Sequence, residues 1–274
     1  MLKQNFSINA WLLKIIKIIK CHKIDYLIPG LDFELPILNK IKFLIENKTR
    51  CKIIISDKQV IDICSDKWKT NRFLKENNFI YPNSCLPKGL KSFLKKNKYP
   101  FIVKPRTSSR SRNIFFVKNK KELTLALQKC PRPVIQEYLF KKNNEFTCGV
   151  VIDPKTNECL SSIVLRRDLK NGNTAKATFV KNKKNLIIEK FIIEVAKKLK
   201  PYGPLNFQLC LTKKGPMIFE INPRFSGTTP LRNIFGVNEI SILLNCLENK
   251  KINKIKIKEG TIYRYLSNYF VKKK

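Results

Sequence analysis

The chain has 274 residues, a formal net charge of +36 and a hydrophobic fraction of 43%. This length and apolar content suffice for one or two domains with a buried core, which excludes a disordered polycation. The lysines are spread over the whole chain among many asparagines and isoleucines, as AT-rich codon usage produces. The charge therefore indicates solvated lysine-rich faces more than a nucleic-acid site, although either interpretation predicts attraction for anionic ligands.

The nine cysteines stand singly, no CxxC pair occurs, and His22 is the only histidine in the sequence. This distribution excludes the usual zinc spacings and leaves a Cys–His nucleophile without a well-placed partner. Reduced thiols and the lack of a signal-peptide cleavage pattern predict a cytoplasmic protein.

The first predicted element is an amphipathic helix within residues 11–19, where four apolar residues share one stripe: Leu12, Ile15, Ile16 and Ile19. Lys14 and Lys17 interrupt the apolar run, so it is too short and too polar to span a bilayer. No membrane partner is expected, and a helix lying on a membrane surface is the alternative.

The following residues predict an α/β unit. Residues 24–30 and 51–56 are short apolar runs typical of buried parallel strands, and residues 35–47 predict a helix between them. A doubly wound unit of this kind normally begins with a strand, and none precedes the first helix. Residues 1–64 are therefore expected to form an incomplete, shortened α/β domain.

The remaining residues, 65–274, predict a second domain with a small and a large subdomain. After a helix at 66–77, the pattern predicts a small α+β unit at about 83–137, with strands at 100–105, 113–117 and 133–137 and a helix at 120–129. The larger subdomain, 138–274, is expected to contain strands at 146–152 and 159–165, a helix at 186–199 and a hairpin at 205–222.

The hairpin is the most informative segment. Its loop, residues 213–215, predicts a three-residue turn with Gly215 in a left-handed conformation, which sets Gln208 opposite Glu220 and Asn206 opposite Asn222. Because side chains alternate along a strand, the four polar side chains share one face. The other face is predicted to be apolar: Leu205, Phe207, Leu209, Met217, Phe219 and Ile221. Carboxylate and amide oxygens suit Mg²⁺, so the polar face is a candidate metal site. The alternative interpretation is an ordinary half-exposed hairpin whose polar side chains face solvent.

Residues 220–224 read Glu-Ile-Asn-Pro-Arg, which resembles the E-x-N-P-R signature of ATP-grasp enzymes, especially the branch similar to carbamoyl phosphate synthase. The resemblance implies an ATP-grasp fold with a shortened N-terminal domain. It also implies that Glu220, Asn222 and Gln208 bind Mg²⁺, with Mn²⁺ as an alternative, and that Gln208 and its neighbour Asn206 belong to the ATP site. Arg224 is implied as the catalytic contact to the phosphate or acyl phosphate.

Two lysines resemble the family's contacts to ATP phosphates. Asp66 and Lys67 are similar to the start of the first ATP-grasp helix, where a basic residue meets phosphate. Residues 101–106 resemble the strand that presents a second lysine, Lys104, with a cofactor-binding and catalytic role. A solvated helix lysine is the alternative interpretation of Lys67.

The adenosine contacts are also implied by resemblance. Residues 134–139 resemble the hinge that holds adenine, with Gln136, Glu137 and Leu139 as its contacts. Glu145 is similar to the acid that binds the ribose hydroxyls. The candidate apolar walls of the adenine site are Ile102, Val103 and Phe219.

Two further features concern the phosphates and the substrate. The loop at 106–112 contains no glycine, whereas the family's phosphate-covering loop is usually glycine-rich, so serine and arginine side chains would have to replace backbone donors there. Substrate contacts are expected from the loops at 30–34 and 226–232. Arg166, Arg167 and Arg232 are candidates for contacts to a carboxylate or phosphate.

The resemblance implies an ATP-dependent ligase that activates a small carboxylate substrate as an acyl phosphate, which an amine or another nucleophile then attacks. One alternative is an ATP-grasp protein that needs a partner domain, or a homo-oligomer, for activity. Another is a catalytically reduced polyanion-binding protein, whose binding would weaken steeply with salt.

Overall fold

The computed structural model describes residues 8–107 and 113–265. Its N-terminal part consists of two helices and a two-stranded parallel sheet, in the order α1 (Ile8–His22), β1 (Tyr26–Leu27), α2 (Glu34–Lys48) and β2 (Lys52–Ile53). The buried residues of α1 are Leu12, Ile16 and Ile19, which confirms the predicted stripe. Among the described residues, no helix is long and apolar enough to cross a membrane.

The two N-terminal strands are shorter than the apolar runs that predicted them. They pair only as Tyr26 with Lys52 and Leu27 with Ile53. Ile54 and Ile55 of the second run are almost inaccessible but lie beyond the paired residues, although the Ile54 N–H still donates to Leu27 O at 2.9 Å. Apolar runs report burial, and burial by itself does not determine how far two strands pair.

Two helices connect this part to the next, α3 (Lys58–Ser65) and α4 (Lys67–Glu76). The sequence predicted only the second. Asp66 has an extended backbone with φ of −118° and separates them. Its Oδ1 accepts hydrogen bonds from the backbone N–H of Trp68 at 3.0 Å and Lys69 at 3.3 Å, so Asp66 is the N-cap of α4.

The small subdomain is a four-stranded antiparallel sheet in the order β3-β6-β4-β5 with two helices. Its elements are β3 (Ser84–Cys85), a 3₁₀ turn (Pro87–Gly89), α5 (Leu90–Lys96), β4 (Phe101–Pro105), β5 (Phe115–Val117), α6 (Lys120–Lys129) and β6 (Pro133–Glu137). Phe101 and Val103 pack into its core. Strand alternation therefore places Ile102 and Lys104 on the opposite face.

The large subdomain is a six-stranded antiparallel sheet in the order β11-β10-β7-β8-β9-β12. Its elements are β7 (Glu145–Ile152), β8 (Cys159–Lys170), β9 (Asn173–Phe179), α7 (Lys183–Leu199), β10 (Pro204–Thr212), β11 (Gly215–Asn222), α8 (Thr229–Ile234), α9 (Glu239–Leu247) and β12 (Gly260–Tyr263). The apolar side of α7 packs on the strands and forms the largest core cluster. The sequence did not predict β9, α8 or α9.

The predicted hairpin register is confirmed at the polar positions, where Asn206 pairs with Asn222 and Gln208 with Glu220. At the tip the prediction is wrong by one residue. Gly215 pairs with Thr212, so the loop has two residues and not three, although Gly215 does have a positive φ of +116°. An irregularity next to Gln208 restores the predicted register.

The same irregularity changes which residues share a face. It inserts Phe219 between the pair of Leu209 with Ile218 and the pair of Gln208 with Glu220. Ile218 joins Leu209 in the main core, whereas Met217 and Phe219 pack in a separate cluster next to the hinge. The prediction that Met217 and Phe219 share the core face is therefore wrong, because a bulge reverses the alternation beyond it.

Candidate active site

Strands β10 and β11 present one carboxylate and three amide side chains in mutual contact. Gln208 Nε2 and Asn222 Nδ2 each donate to Glu220 Oε1 at 3.2 Å, and Asn206 Nδ2 donates to Asn222 Oδ1 at 3.1 Å. Asn206 and Asn222 are buried, while the side chain of Glu220 is 23% exposed. The alternation of the strands thus gathers three amide side chains next to one accessible carboxylate.

Lys67 approaches this cluster from the first turn of α4. Its buried Nζ lies 3.7 Å from Glu220 Oε2. Its backbone N–H donates to Arg106 O at 2.9 Å, and the Arg106 guanidinium pairs with Asp66 at 2.6 Å. Burial alone would raise the pKa of Asp66, but the hydrogen bond and charge of Arg106 lower it. Asp66 thus stays ionised and fixes the start of α4.

Lys104 is buried between the two sheets. Its Nζ donates to Gln136 Oε1 at 2.9 Å and to Phe219 O at 3.4 Å, and Gln136 Nε2 donates to Ser84 Oγ at 2.9 Å. Burial, together with the charge of Lys67, lowers the pKa of Lys104 to about 7, against an opposing effect of Glu220. The lowered pKa of Lys104 thus has two causes, its burial and the neighbouring positive charge of Lys67.

Arg224 follows β11 and reaches the N-terminal part of the chain. Its Nε donates to Asp32 Oδ1 at 2.7 Å and its Nη2 to Asp32 Oδ2, in a forked pair. Its Nη1 donates to Phe225 O at 2.8 Å. Asp32 lies in the loop between β1 and α2, so this pair fixes that loop against the strand that carries Glu220.

Arg167 on β8 joins two of the predicted site residues. Its Nε and Nη2 donate to Glu145 Oε1 at 3.0 and 2.6 Å, and the Nη2 also donates to Gln208 Oε1 at 2.8 Å. The guanidinium thereby determines which way the Gln208 amide faces, with its oxygen toward Arg167 and its nitrogen toward Glu220.

Arg232 lies beneath the cluster and not in the cavity. It pairs with Glu239 at 3.0 Å, and the two side chains are 1% and 2% exposed. Its Nη2 donates to Asn206 Oδ1, and Glu239 accepts a further bond from Thr229 Oγ1 at 2.9 Å. The expectation that Arg232 contacts substrate is therefore wrong, because its charge is paired with Glu239 inside the protein.

Gly149 on β7 makes room for this buried pair. A Cβ atom there would lie 1.9 Å from Glu239 Oε1 and 2.4 Å from Arg232 Nη1. Such a separation is far inside van der Waals contact, so only glycine fits between the strand and the ion pair.

Two cavities meet at Glu220 and Asn222. The first, of about 370 Å³, extends over the polar face of the sheet toward the loops, and its charged lining residues are Asp32, Arg167, Glu220, Arg224 and Arg264. The second, of about 280 Å³, extends toward Lys67 and Thr107 and also includes Asp32. The accessible carboxylate and its neighbouring amide thus separate two spaces that can each hold part of a ligand.

A family model described as the ATP-grasp domain matches residues 64–228, more than half of the chain. The chain belongs to the ATP-grasp family. This confirms the family that the motif of residues 220–224 indicated. The matched segment contains β4, the hinge after β6, and the whole β10–β11 hairpin.

Individual ATP-grasp relatives are distant. The carbamoyl phosphate synthase large chain of Pseudothermotoga lettingae is 22% identical over 223 residues, which cover 76% of this chain and 20% of that protein. A D-alanine–D-alanine ligase of Prochlorococcus marinus is 34% identical over 91 residues, 32% of this chain and 25% of that protein. The chain thus spans about a fifth of the length of the carbamoyl phosphate synthase large chain that it matches.

Solved structures share the ATP-grasp fold. The biotin carboxylase of Campylobacter jejuni, in a complex with β-γ-ATP, superposes with a TM-score of 0.75 at 16% identity, over 91% of this chain and 60% of that one. The L-amino acid ligase of Bacillus licheniformis superposes with a TM-score of 0.68 at 20% identity, over 88% and 61% of the two chains. These likenesses confirm the predicted fold class.

The hinge residues lie together at the junction of the two sheets. Glu137 Oε1 accepts from the backbone N–H of Asn83 at 2.7 Å, and the Glu137 N–H donates to Asn83 O at 2.9 Å. Leu139 packs in the apolar cluster that includes Met217 and Phe219. Val103 packs into the core of the small subdomain, so the expectation that it lines the adenine wall is wrong, whereas Ile102 lies on the other face.

The glycine-free loop is described only at its start, because residues 108–112 lie outside the described part of the chain. Arg106, its first residue, pairs with Asp66. Sequence reasoning placed that arginine in the phosphate-covering loop and gave no indication of this ion pair.

Three contributions to the site were missed by sequence reasoning. Asp32 was included only as part of a predicted loop, and no role in the site was predicted for Arg264 or Thr147. Thr147 is buried, and its Oγ1 donates to Asn206 Oδ1 at 3.1 Å. The only signal for Asp32 was its place in a predicted strand-to-helix loop, where ligand sites of α/β units gather.

Proposed function

We propose that the chain is an ATP-dependent ligase, which uses Mg-ATP to convert a small carboxylate substrate into an acyl phosphate for attack by an amine or another nucleophile. The observation that supports this most is the cluster on β10 and β11, in which Glu220 is surrounded by amides and lies between two cavities. Membership of the ATP-grasp family supports the same chemistry.

The donor set fits Mg²⁺. Glu220 offers a carboxylate at the cavity, and Asn222 carries an amide oxygen that accepts from Gln208 Nε2. The amide oxygen of Gln208 faces Arg167, so Gln208 would have to turn its amide to become a metal ligand. Within the described ranges there is no group of three or more His, Cys, Asp or Glu residues, so the site is not an all-protein metal cage. Mg²⁺ binds proteins through one or two carboxylates and completes its shell with phosphate oxygens and water. When bound, it would neutralise charge on the ATP phosphates.

The residues around the cluster are proposed to bind the phosphates and the adenosine of ATP. Lys67 and Lys104 supply positive charge to the phosphates, from α4 and from β4. Gln136 fixes Lys104, while the backbone at Glu137 and Leu139 and the carboxylate of Glu145 would hold adenosine. Asn206 lies beneath Asn222 and orients its side chain by donating to Asn222 Oδ1. A family match that begins at residue 64 supports a boundary between an N-terminal domain, 1–64, and the ATP-grasp domain, 65–274.

Arg224 is placed for the chemical step. A carboxylate oxygen of the substrate attacks the γ-phosphorus, the bond to the β,γ-bridging oxygen breaks, and ADP leaves. An amine then displaces phosphate from the acyl phosphate. Such a reaction depends on positioning and charge neutralisation more than on a protein nucleophile. Arg224, held by Asp32 at the cavity, would stabilise the transferred group through its free N–H donors.

The test is the formation of ADP and of a trapped acyl phosphate. A panel of small carboxylic acids is incubated with Mg-ATP and hydroxylamine, and both ADP and hydroxamate are quantified. We expect at least one acid to give both products in equal amounts, and we expect Glu220→Gln to reduce both by about 100-fold or more, as for loss of a charge-stabilising group. ADP without hydroxamate, or equal rates in the variant, would contradict the proposal.

A further inference from the structure

The charged residues that line the first cavity are balanced in pairs, with one exception. Three ion pairs account for the others: Asp32 with Arg224, Glu145 with Arg167, and Glu220 with Lys67. Arg264 also lines this cavity. Across residues 8–107 and 113–265 no carboxylate lies within ion-pair distance of its guanidinium, whose one side-chain hydrogen bond there runs from Nη2 to Gly227 O. The cavity thus presents one uncompensated positive charge.

The fold places this arginine in a defined position. Its backbone N–H donates to Ala175 O at 2.8 Å, which extends the pairing of β12 with β9 by one residue. At its other end the guanidinium is anchored on Gly227, three residues beyond Arg224 in the chain. A guanidinium carries five N–H groups in a rigid fork, so one bond to a carbonyl leaves donors for an oxyanion.

We propose that Arg264 binds a second anionic group of the substrate, a carboxylate or a phosphate, in addition to the carboxylate that is activated. This inference rests on the proposed function. The reacting carboxylate belongs at Glu220, Asn222 and Arg224, and Arg264 receives the other charged end of the molecule across the same cavity. A volume of about 370 Å³ is in the range of small-molecule sites. The substrate class is therefore a small acid with two anionic groups.

Calorimetry with matched acids tests this assignment. Each acid is titrated into the protein in the presence of Mg²⁺ and a non-hydrolysable ATP analogue, in three pairs: succinate with propionate, glutarate with butyrate, and 3-phosphoglycerate with glycerate. The first two pairs report a second carboxylate and the third a phosphate. In at least one pair we expect the doubly anionic acid to bind about tenfold tighter or more, as for a charge-assisted forked contact.

Two arginine variants distinguish a local contact from general attraction. Arg264→Met is expected to abolish that advantage and to leave binding of the singly charged acids and of the ATP analogue unchanged. Arg72→Met removes the same charge from an exposed position on α4 outside this cavity and is expected to keep the advantage. Equal weakening in both variants would show a general charge effect and overturn the inference.

The titrations distinguish failure of the proposed function from failure of the Arg264 assignment. If the ATP analogue shows no Mg²⁺-dependent binding to the wild type, the proposed function fails and the inference falls with it. If the analogue binds but no doubly anionic acid is preferred, or if the preference survives in Arg264→Met, only the assignment of Arg264 is overturned.

Discussion

Two arginine–carboxylate pairs flank the polar cluster, and they differ mainly in burial. Arg232 and Glu239 are 1% and 2% exposed, whereas Arg224 and Asp32 are 14% and 29% exposed and line the cavity. Taking both charges out of water makes the first pair costly to break. The second pair retains solvent and can exchange partners with a ligand. The same chemistry thus supports the fold in one place and is available for a substrate in the other.

The buried pair also determines the orientation of the cluster above it. Arg232 Nη2 donates to Asn206 Oδ1, so the amide nitrogen of Asn206 faces Asn222 Oδ1. The partly exposed pair lines the cavity next to the same cluster. Variants of the two arginines should therefore separate stability from activity.

The largest expected effect is on the free energy of unfolding of Arg232→Met. Removal of one partner leaves Glu239 buried without its counter-charge, which is expected to cost about 3–5 kcal/mol. Urea unfolding measures the loss. Arg224→Met, the matched change at the cavity, is expected to cost less than about 1 kcal/mol. The double variant Arg232→Met with Glu239→Gln should recover part of the loss, and equal losses for the two single arginine variants would refute the distinction between the pairs.

The next effect concerns turnover in Arg224→Met. In the proposed mechanism Arg224 stabilises the transferred phosphoryl group, so its loss is expected to lower the rate of ADP release by about 100-fold. Binding of a Mg²⁺-loaded ATP analogue should change little, because the proposed phosphate contacts, Lys67 and Lys104, are retained. Rate measurements at saturating ATP and calorimetry check the two halves of this prediction. A large loss of analogue binding would show instead that Arg224 already contacts ATP in the ground-state complex.

A smaller effect is the pH dependence of ATP binding. The pKa of Lys104 is lowered to about 7 in the folded protein, so we expect ATP binding above pH 7 to be accompanied by uptake of a proton at Lys104. Affinity is expected to fall as pH rises from 7 to 9, by up to about tenfold per pH unit. Calorimetry in two buffers with different ionisation enthalpies measures the uptake. Lys104→Met should bind ATP more weakly and without this slope, and a wild-type affinity that is flat across this range would count against the role of Lys104.

The pH dependence that Lys104 gives to stability is opposite in sign to the pH dependence that it gives to ATP affinity. An unfolded Lys104 holds its proton up to its ordinary value near 10.5, whereas the folded form loses it near 7. The unfolded state therefore binds more protons between these values, and the contribution of Lys104 to stability rises with pH across that window.

The smallest expected effect is that of Asp32→Asn. The amide can still accept one bond from Arg224 but loses the charge and the forked geometry. We expect ADP release to fall by less than about tenfold, since Arg224 remains present but is held less firmly. A full kinetic comparison with Arg224→Met checks the order. An equal or larger loss in Asp32→Asn would mean that Asp32 itself contacts substrate.

Local patterns were sufficient for much of the fold. The alternation in residues 205–222 and the glycine at 215 predicted the pairing of Gln208 with Glu220, and the structure has that pairing. Strand β6 and helix α6 were also predicted with their bounds, because their apolar periods are regular and turn residues flank them. The family signature at residues 220–224 then identified the family.

What sequence could not supply was the set of contacts between distant residues. Arg224 and Asp32 are 192 positions apart, and Lys104 reaches Phe219 over 115. No periodicity distinguishes Arg232, which is buried, from Arg264, which lines a cavity. The bulge at Phe219 could not be predicted either, because no residue type in the strand marks the position of the extra residue.

In the proposed function, Glu220 and Asn222 hold Mg-ATP. Calorimetry of ATP binding with and without Mg²⁺, in moderate salt, tests it on the wild type and on a variant with Glu220→Ala and Asn222→Ala. We expect micromolar binding to the wild type that weakens at least tenfold without Mg²⁺, and we expect the metal to make no difference to binding by the variant. Equal binding by both proteins, with an affinity that falls steeply as salt increases, would contradict the account and favour general polyanion binding.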